Sequence, residues 1–188
     1  MTLTLRAATQ ADAGTIAALA NDAGGGFPAT VWAGQAEFGQ DPMVVGRSKA
    51  LGEDELFSWR NTLVAEDDGR MAGMLLVYRT PHEPVAVDAA PHPMLRPIVR
   101  LINDGLDTCC ISFMATLPAF RGKGVGSALL ARAEARPGPS GMSVILSNTN
   151  TTARHFYTHR GYREVRRLPV VRADWKTDTA EWVLYRKP

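Results

Sequence analysis

Ile111-Ser-Phe-Met-Ala-Thr-Leu-Pro118-Ala-Phe-Arg121-Gly-Lys-Gly-Val-Gly126-Ser-Ala-Leu-Leu130 decides the fold, because an apolar strand runs there into a basic, glycine-rich turn that opens a helix. Gly122, Gly124 and Gly126 alternate in the turn, so the backbone can take positive φ and approach a ligand with no Cβ in the way. From Gly124 onward Val125, Ala128, Leu129 and Ala133 recur at helical spacing. The first turn of such a helix has N–H groups without intrahelical partners and the positive end of the macrodipole, which suits an anion. Arg121 and Lys123 add two full charges, and that favours a diphosphate over a carboxylate. No Gly-Lys-[Ser/Thr] follows, and the third glycine comes too early for Gly-x-Gly-x-x-Gly, so ATP, GTP and NAD are not the expected ligands.

Met114-Ala-Thr-Leu-Pro-Ala-Phe-Arg-Gly-Lys-Gly-Val-Gly126 resembles the acetyl-coenzyme A signature of the GNAT-type N-acetyltransferase superfamily, [Arg/Gln]-x-x-Gly-x-[Gly/Ala] after a strand. Downstream, strand Ser143–Ser147, Asn150-x-x-Ala153-x-x-Phe156-Tyr157 and Arg160-Gly161-Tyr162 resemble the Asn-x-x-Ala-x-x-x-Tyr helix and closing Gly-[Phe/Tyr] of that family. The resemblance implies one α/β (α+β) domain over residues 1–188. Its mixed, mostly antiparallel sheet would have about six or seven strands, a splayed parallel pair in the middle and about four flanking helices. It implies acetyl-coenzyme A as co-substrate and no metal. The coenzyme would be bound by Met114, Ala115 and Thr116 on the strand, by Arg121, Gly122, Lys123, Gly124, Val125, Gly126 and Ser127 at the turn, and by Asn150 and Ala153.

The chemistry implied is transfer of the acetyl group to a primary amine of a small-molecule acceptor, by direct attack in a ternary complex. Tyr157 is the expected general acid for the departing thiolate, because a phenol ionises near ~10 and keeps its proton at neutral pH. The resemblance places the pantetheine arm along strand 111–117 and oxyanion stabilisation at an amide near Met114 or Ala115. Asn150 can both cap the helix after it and hold the pantetheine. An alkyl ammonium is neutral only about one time in a thousand at pH 7, so something must take its proton. Strand 111–117 has no glutamate, which leaves a water relay or a carboxylate such as Glu66, Glu37 or Asp107. Phe27, Trp32, Glu37, Tyr78, Asp174 and Trp175 lie in segments that could frame the acceptor pocket. Alternative readings are a protein or peptide N-acetyltransferase and a non-catalytic acyl-coenzyme A sensor.

Composition bounds these readings. A chain of 188 residues with a formal net charge of +2 can build one sizeable core and carries no general bias toward nucleic acid or a membrane surface. The N-terminal residues have no signal-peptide pattern and no ~18-residue apolar run occurs, so a cytoplasmic location is expected. Cys109 and Cys110 are adjacent, lack metal-site spacing and read as reduced strand residues. Arg154, Arg160, Arg163, Arg166, Arg167 and Arg172 crowd the last third. The resemblance allows a homodimer through the C-terminal strands.

Along the chain, Leu3–Arg6 reads as an edge strand, and a helix should start at Thr9-Gln-Ala-Asp12 and run to about Ala23. A short helix over 30–37 and a turn at Asp41-Pro42 follow. Thr62–Glu66 and Met71–Tyr78 flank Asp67-Asp68-Gly69-Arg70 as a hairpin. Five prolines and two histidines between Thr80 and Pro97 mark a loop insertion with solvated His82 and His92, then a helix from about Leu95 to Ile102. After strand 111–117 the order is helix 124–135, a stop at Arg136–Pro139, strand 143–147, helix 151–159, and strands near 162–168 and 181–186.

Overall fold

The computed structural model describes residues 2–53 and 56–188; Met1, Asp54 and Glu55 lie outside the description. Its chain packs into two compact units, Met1–Tyr78 with Ser112–Arg136, and Arg79–Ile111 with Pro137–Pro188.

The first unit contains β1 (Leu3–Ala7), α1 (Ala13–Ala23), α2 (Phe27–Ala33), α3 (Pro42–Leu51), β2 (Thr62–Asp67), β3 (Arg70–Arg79) up to Tyr78, residues 112–116 of β4 (Cys109–Thr116), and α5 (Val125–Glu134). β1 pairs antiparallel with β2, and β2 with β3 through a tight turn in which Asp68 and Gly69 both have positive φ. Ala13, Ile16, Ala17 and Ala20 stand at i, i+3, i+4 and i+7 on α1 and are all buried. Ile16 joins Ala50, Val64, Met74 and Leu76 in one apolar cluster. On α5, Val125, Leu129, Leu130 and Ala133 are the buried face, and each leucine there contributes about 1.5–3 kcal/mol of burial.

Residues 27–51 depart from expectation. The helix expected at 30–37 is α2, Phe27–Ala33, because Pro28 sits in its first turn, where a missing N–H costs nothing. Asp41-Pro42 is a helix start, not a loop turn: the Asp41 carboxylate accepts the Met43 N–H at 2.9 Å and Pro42 is the first helical residue. With α3 added, the described residues form six α-helices where about four were expected.

The second unit contains α4 (Arg96–Asn103), residues 109–111 of β4, β5 (Met142–Ser147), α6 (Thr151–Thr158), β6 (Arg163–Pro169) and β7 (Glu181–Lys187). Here β4 and β5 pair in parallel, and β7 pairs antiparallel with both β5 and β6. Strand order is β1-β2-β3-β4-β5-β7-β6, a mixed seven-stranded sheet that is antiparallel apart from the β4–β5 pair. The parallel register covers only Cys109–Met142, Cys110–Ser143 and Ile111–Val144. The proline-rich 80–97 segment is ordered: both polar groups of the Asn103 side chain bond the Val85 backbone, and His92 accepts the Met94 N–H. His82, expected to be solvated, is exposed and pairs with Asp107 at 2.8 Å. No helix among the described residues is long and apolar enough to cross a membrane.

Candidate active site

In the first unit, β4 leaves the sheet through a 3-10 turn at Pro118–Phe120 and reaches the cradle. Gly122 and Gly124 have φ of 72° and 82°, and nothing lies within 4 Å of where either Cβ would be. Positive φ explains why glycine stands there, and the open space is where a ligand approaches the backbone. Ala128 is the first residue after the turn whose N–H reaches back one helical turn, to the Gly124 carbonyl at 3.0 Å. The Val125 and Gly126 amides precede it, at the positive end of the ten-residue α5. Arg121 and Lys123 are exposed, and neither forms an ion pair with a described residue. Arg121 Nε donates to the Thr116 carbonyl at 3.3 Å, and Lys123 Nζ lies 5.5 Å from the centre of the Phe120 ring. Two uncompensated cations beside a helix N-terminus fit a pyrophosphate.

Met114 and Thr116 point at α5: a Cβ on Gly126 would lie 3.7 Å from Met114 Cε and 3.8 Å from Thr116 Oγ1. Phe113, Ala115 and Leu117 alternate to the opposite face, against the apolar cluster of α1 and β2. Within this unit residues 112–116 therefore offer main-chain groups, rather than side chains, to a ligand arm. Val125 is 1% exposed, so its contribution to the cradle is its N–H alone.

Asn150, Ala153 and Tyr157 belong to the second unit. Asn150 caps α6: its Oδ1 accepts the Ala153 N–H at 3.0 Å. That bond fixes the amide orientation and leaves the NH2 as the group available to a ligand. Tyr157 is 2% exposed, with its ring edge-on to Tyr162 at 5.1 Å and to Phe156 at 5.2 Å. Arg154, three residues before Tyr157, faces inward, donating to Tyr185 Oη at 2.9 Å and to the Asn148 carbonyl at 3.2 Å. Arg167 holds the Glu164 carboxyl below its ordinary value, with Tyr185 Oη adding a weaker donor.

Glu66 is held by Arg6 at 2.7 Å, Asp107 by His82, and Glu37 is exposed after α2. The pocket candidates Phe27 and Trp32 are buried, the Trp32 ring lying against Gly46 and 5.4 Å from Phe57. Trp175 is buried in a parallel stack with Trp182 at 5.5 Å, and Tyr78 packs on the first unit's core. Asp174 is exposed. The cluster of Ser147, Thr149, Thr177 and Thr179 hydroxyls beside Asn150 carried no sequence signal, because it joins residues some 30 apart in the chain.

A strand leading into a cationic, glycine-opened helix start is suited to hold an anion. The acetyltransferase (GNAT) domain of known families matches residues 58–164, more than half of the chain. The chain belongs to the GNAT acetyltransferase family. A search of curated proteins finds no match to it. Among solved structures it is similar to an N-acetyltransferase from Staphylococcus aureus Mu50, with 15% identity over 97% of this chain and 98% of that one, at a TM-score of 0.64. The ribosomal-protein-S18-alanine N-acetyltransferase of Escherichia coli is 14% identical over 98% and 92% of the two chains, at 0.56. The diaminobutyrate acetyltransferase EctA of Paenibacillus lautus, solved with L-2,4-diaminobutyric acid and coenzyme A, is 14% identical over 98% and 95%, at 0.55. Family membership makes the protein an acetyltransferase and supports acetyl-coenzyme A as its acetyl donor. Among the described residues no group of three or more His, Cys, Asp or Glu is placed to hold a metal ion.

Proposed function

We propose that this protein moves the acetyl group of acetyl-coenzyme A to a primary amine of a small molecule, by direct attack in a ternary complex. The observation that carries the reading is the cradle, with φ of 72° and 82° at Gly122 and Gly124, open space above both, and the unpaired charges of Arg121 and Lys123. The pyrophosphate would sit on the amides of residues 121–126, between the Arg121 and Lys123 side chains. The main chain of Met114, Ala115 and Thr116 would pair with the pantetheine arm, and an amide at Met114 or Ala115 would stabilise the oxyanion. Asn150, with Ala153 beside it on α6, would donate its NH2 to a carbonyl of that arm. Tyr157 would hand its proton to the leaving thiolate.

The ammonium proton would pass to solvent through water, since Glu66 is engaged by Arg6, Asp107 by His82, and Glu37 is exposed after α2. Solved proteins of this fold are named both for an alanine of a ribosomal protein and for diaminobutyrate, so the acceptor has to be read from this chain's own residues. The chain supplies no long acidic run for a basic peptide, which favours a small amine.

Titration calorimetry with acetyl-coenzyme A on the wild type, Gly124→Glu and Gly39→Glu tests the cradle. Gly39 has a φ of 80° against 82° for Gly124 and equally open surroundings, so its variant carries similar backbone strain without a carboxylate in the cradle. Binding should persist in Gly39→Glu and disappear in Gly124→Glu. A wild type that fails to bind would remove the proposal at its base.

A further inference from the structure

The turn that delivers Asn150 to α6 is held by the segment that leads into β7. Asn148 N donates to the Glu181 carbonyl at 3.0 Å, and its side-chain Oδ1 accepts the N–H groups of both Ala180 and Glu181, at 3.0 and 3.1 Å. Thr179 Oγ1 lies 2.8 Å from Ser147 Oγ and 3.3 Å from Thr149 Oγ1, and accepts from Thr177 Oγ1 at 2.9 Å. Ser147 Oγ closes the cluster, lying 2.8 Å from Thr149 Oγ1 and accepting the Thr149 N–H at 3.2 Å. Thr179 is 3% exposed, and its hydroxyl is the hub of the four.

Ser147, Asn148 and Thr149 are thus fixed from outside the turn, while Asn150 is fixed from within by its own cap. The cap matters to the direction of force. With Oδ1 on the Ala153 N–H, the Asn150 side chain has no freedom to turn its NH2 toward a ligand independently of the backbone. Where that NH2 points is set by where residues 147–149 are held. A hydroxyl buried among three others is costly to remove, because its former partners are left unsatisfied.

We infer that Thr179, with Asn148 beside it, is a positioning residue for coenzyme binding: it acts through Asn150 and touches neither coenzyme nor acceptor. The inference rests on the reading of Asn150 as a coenzyme contact given above.

The test is a double-mutant cycle on the full chain, with the acetyl-coenzyme A dissociation constant from calorimetry as readout. Thr179→Val keeps the shape and removes the hydroxyl, and should weaken binding about tenfold; Thr179→Ser should return to within about twofold of wild type. In an Asn150→Ala background Thr179→Val should change the dissociation constant by less than about twofold, since the residue it positions is gone. Asn148→Ala run through the same cycle gives an independent measurement should Thr179→Val unfold. Equal weakening in both backgrounds, or none in either, would overturn the inference while leaving acetyl-coenzyme A binding by the wild type intact. Loss of wild-type binding would instead bring down the function proposed above.

Discussion

At the scale of single residues, Tyr157 is the side chain proposed to move a proton in the second unit, and its surroundings hold its ring in place. Tyr157 is closed in by Phe156 and Tyr162. Tyr157→Phe keeps the ring contacts and removes the proton. Because a thiol ionising near ~8.5 is already a tolerable leaving group, turnover should fall by about 10²-fold or less, with the acetyl-coenzyme A dissociation constant unchanged. Steady-state turnover beside calorimetry would check this, and a variant as active as wild type would leave Tyr157 with a packing role only. The positive φ of Gly124 and the helix cap at Asn150 were legible because each is a matter of local geometry within a few residues. That Glu66 would be engaged was not, since its partner Arg6 lies on another strand and the pairing is made only once β1 and β2 are in register.

Among the elements, β4 depends on how closely β3 can approach it. Its three-residue parallel pairing ends at Ile111–Val144, and beyond it β3 is held close: Leu117 N donates to the Ala72 carbonyl at 2.9 Å. Gly73 makes that closeness feasible. A Cβ there would sit 2.6 Å from the Ala115 carbonyl oxygen and 3.0 Å from Val125 Cγ1, so Gly73→Ala has to displace β4 or the start of α5. The overpacking should cost about 1–3 kcal/mol and weaken acetyl-coenzyme A binding with it. Gly105→Ala, whose new Cβ meets nothing nearer than 3.7 Å, should do neither. Denaturant midpoints and calorimetry on the two variants separate these outcomes, and a fully stable Gly73→Ala would refute the close-packing argument. Strands and the β4–α5 unit could be read from the sequence because their apolar periods are strong. α3 was missed for the opposite reason: its buried face consists of Gly46 and Ala50, residues with too little apolar bulk to mark a stripe, and only the Asp41-Pro42 start announces it.

For the whole molecule, acid stability is where the local ion pairs become a global property. Each unit has an arginine gripping a carboxylate across elements. Arg6 on β1 donates to Asp12 at 2.7 and 3.0 Å and also holds Glu66 on β2, while Arg167 holds Glu164 and reaches Glu181 on β7. The hydrogen bonds from Arg6 hold the Asp12 carboxyl below its ordinary 3.8, and those from Arg167 hold Glu164 below its ordinary 4.5. A carboxyl lowered in the folded state contributes stability that is complete above its unfolded value and is lost as pH falls through the folded one. The melting temperature should therefore be flat with respect to these groups from pH 8 down to about 5 and fall below about 4. Protonating the other carboxylates also leaves the cations unopposed, which lowers wild type and variants alike, so the informative quantity is the difference between them. Asp12→Asn should lower the melting temperature at pH 7, and its gap from wild type should narrow as pH falls below about 4 toward the lowered folded value of Asp12. Glu164→Gln should follow the same course with smaller amplitude, its carboxylate being the more solvent-screened: 36% of that side chain is exposed against 12% for Asp12. Calorimetric melts of the three proteins from pH 7 to 3 would measure this. A gap between wild type and Asp12→Asn that widened toward acid would show that the Asp12 carboxyl is raised rather than lowered in the fold, and would reverse the assignment of Arg6 as its counter-ion.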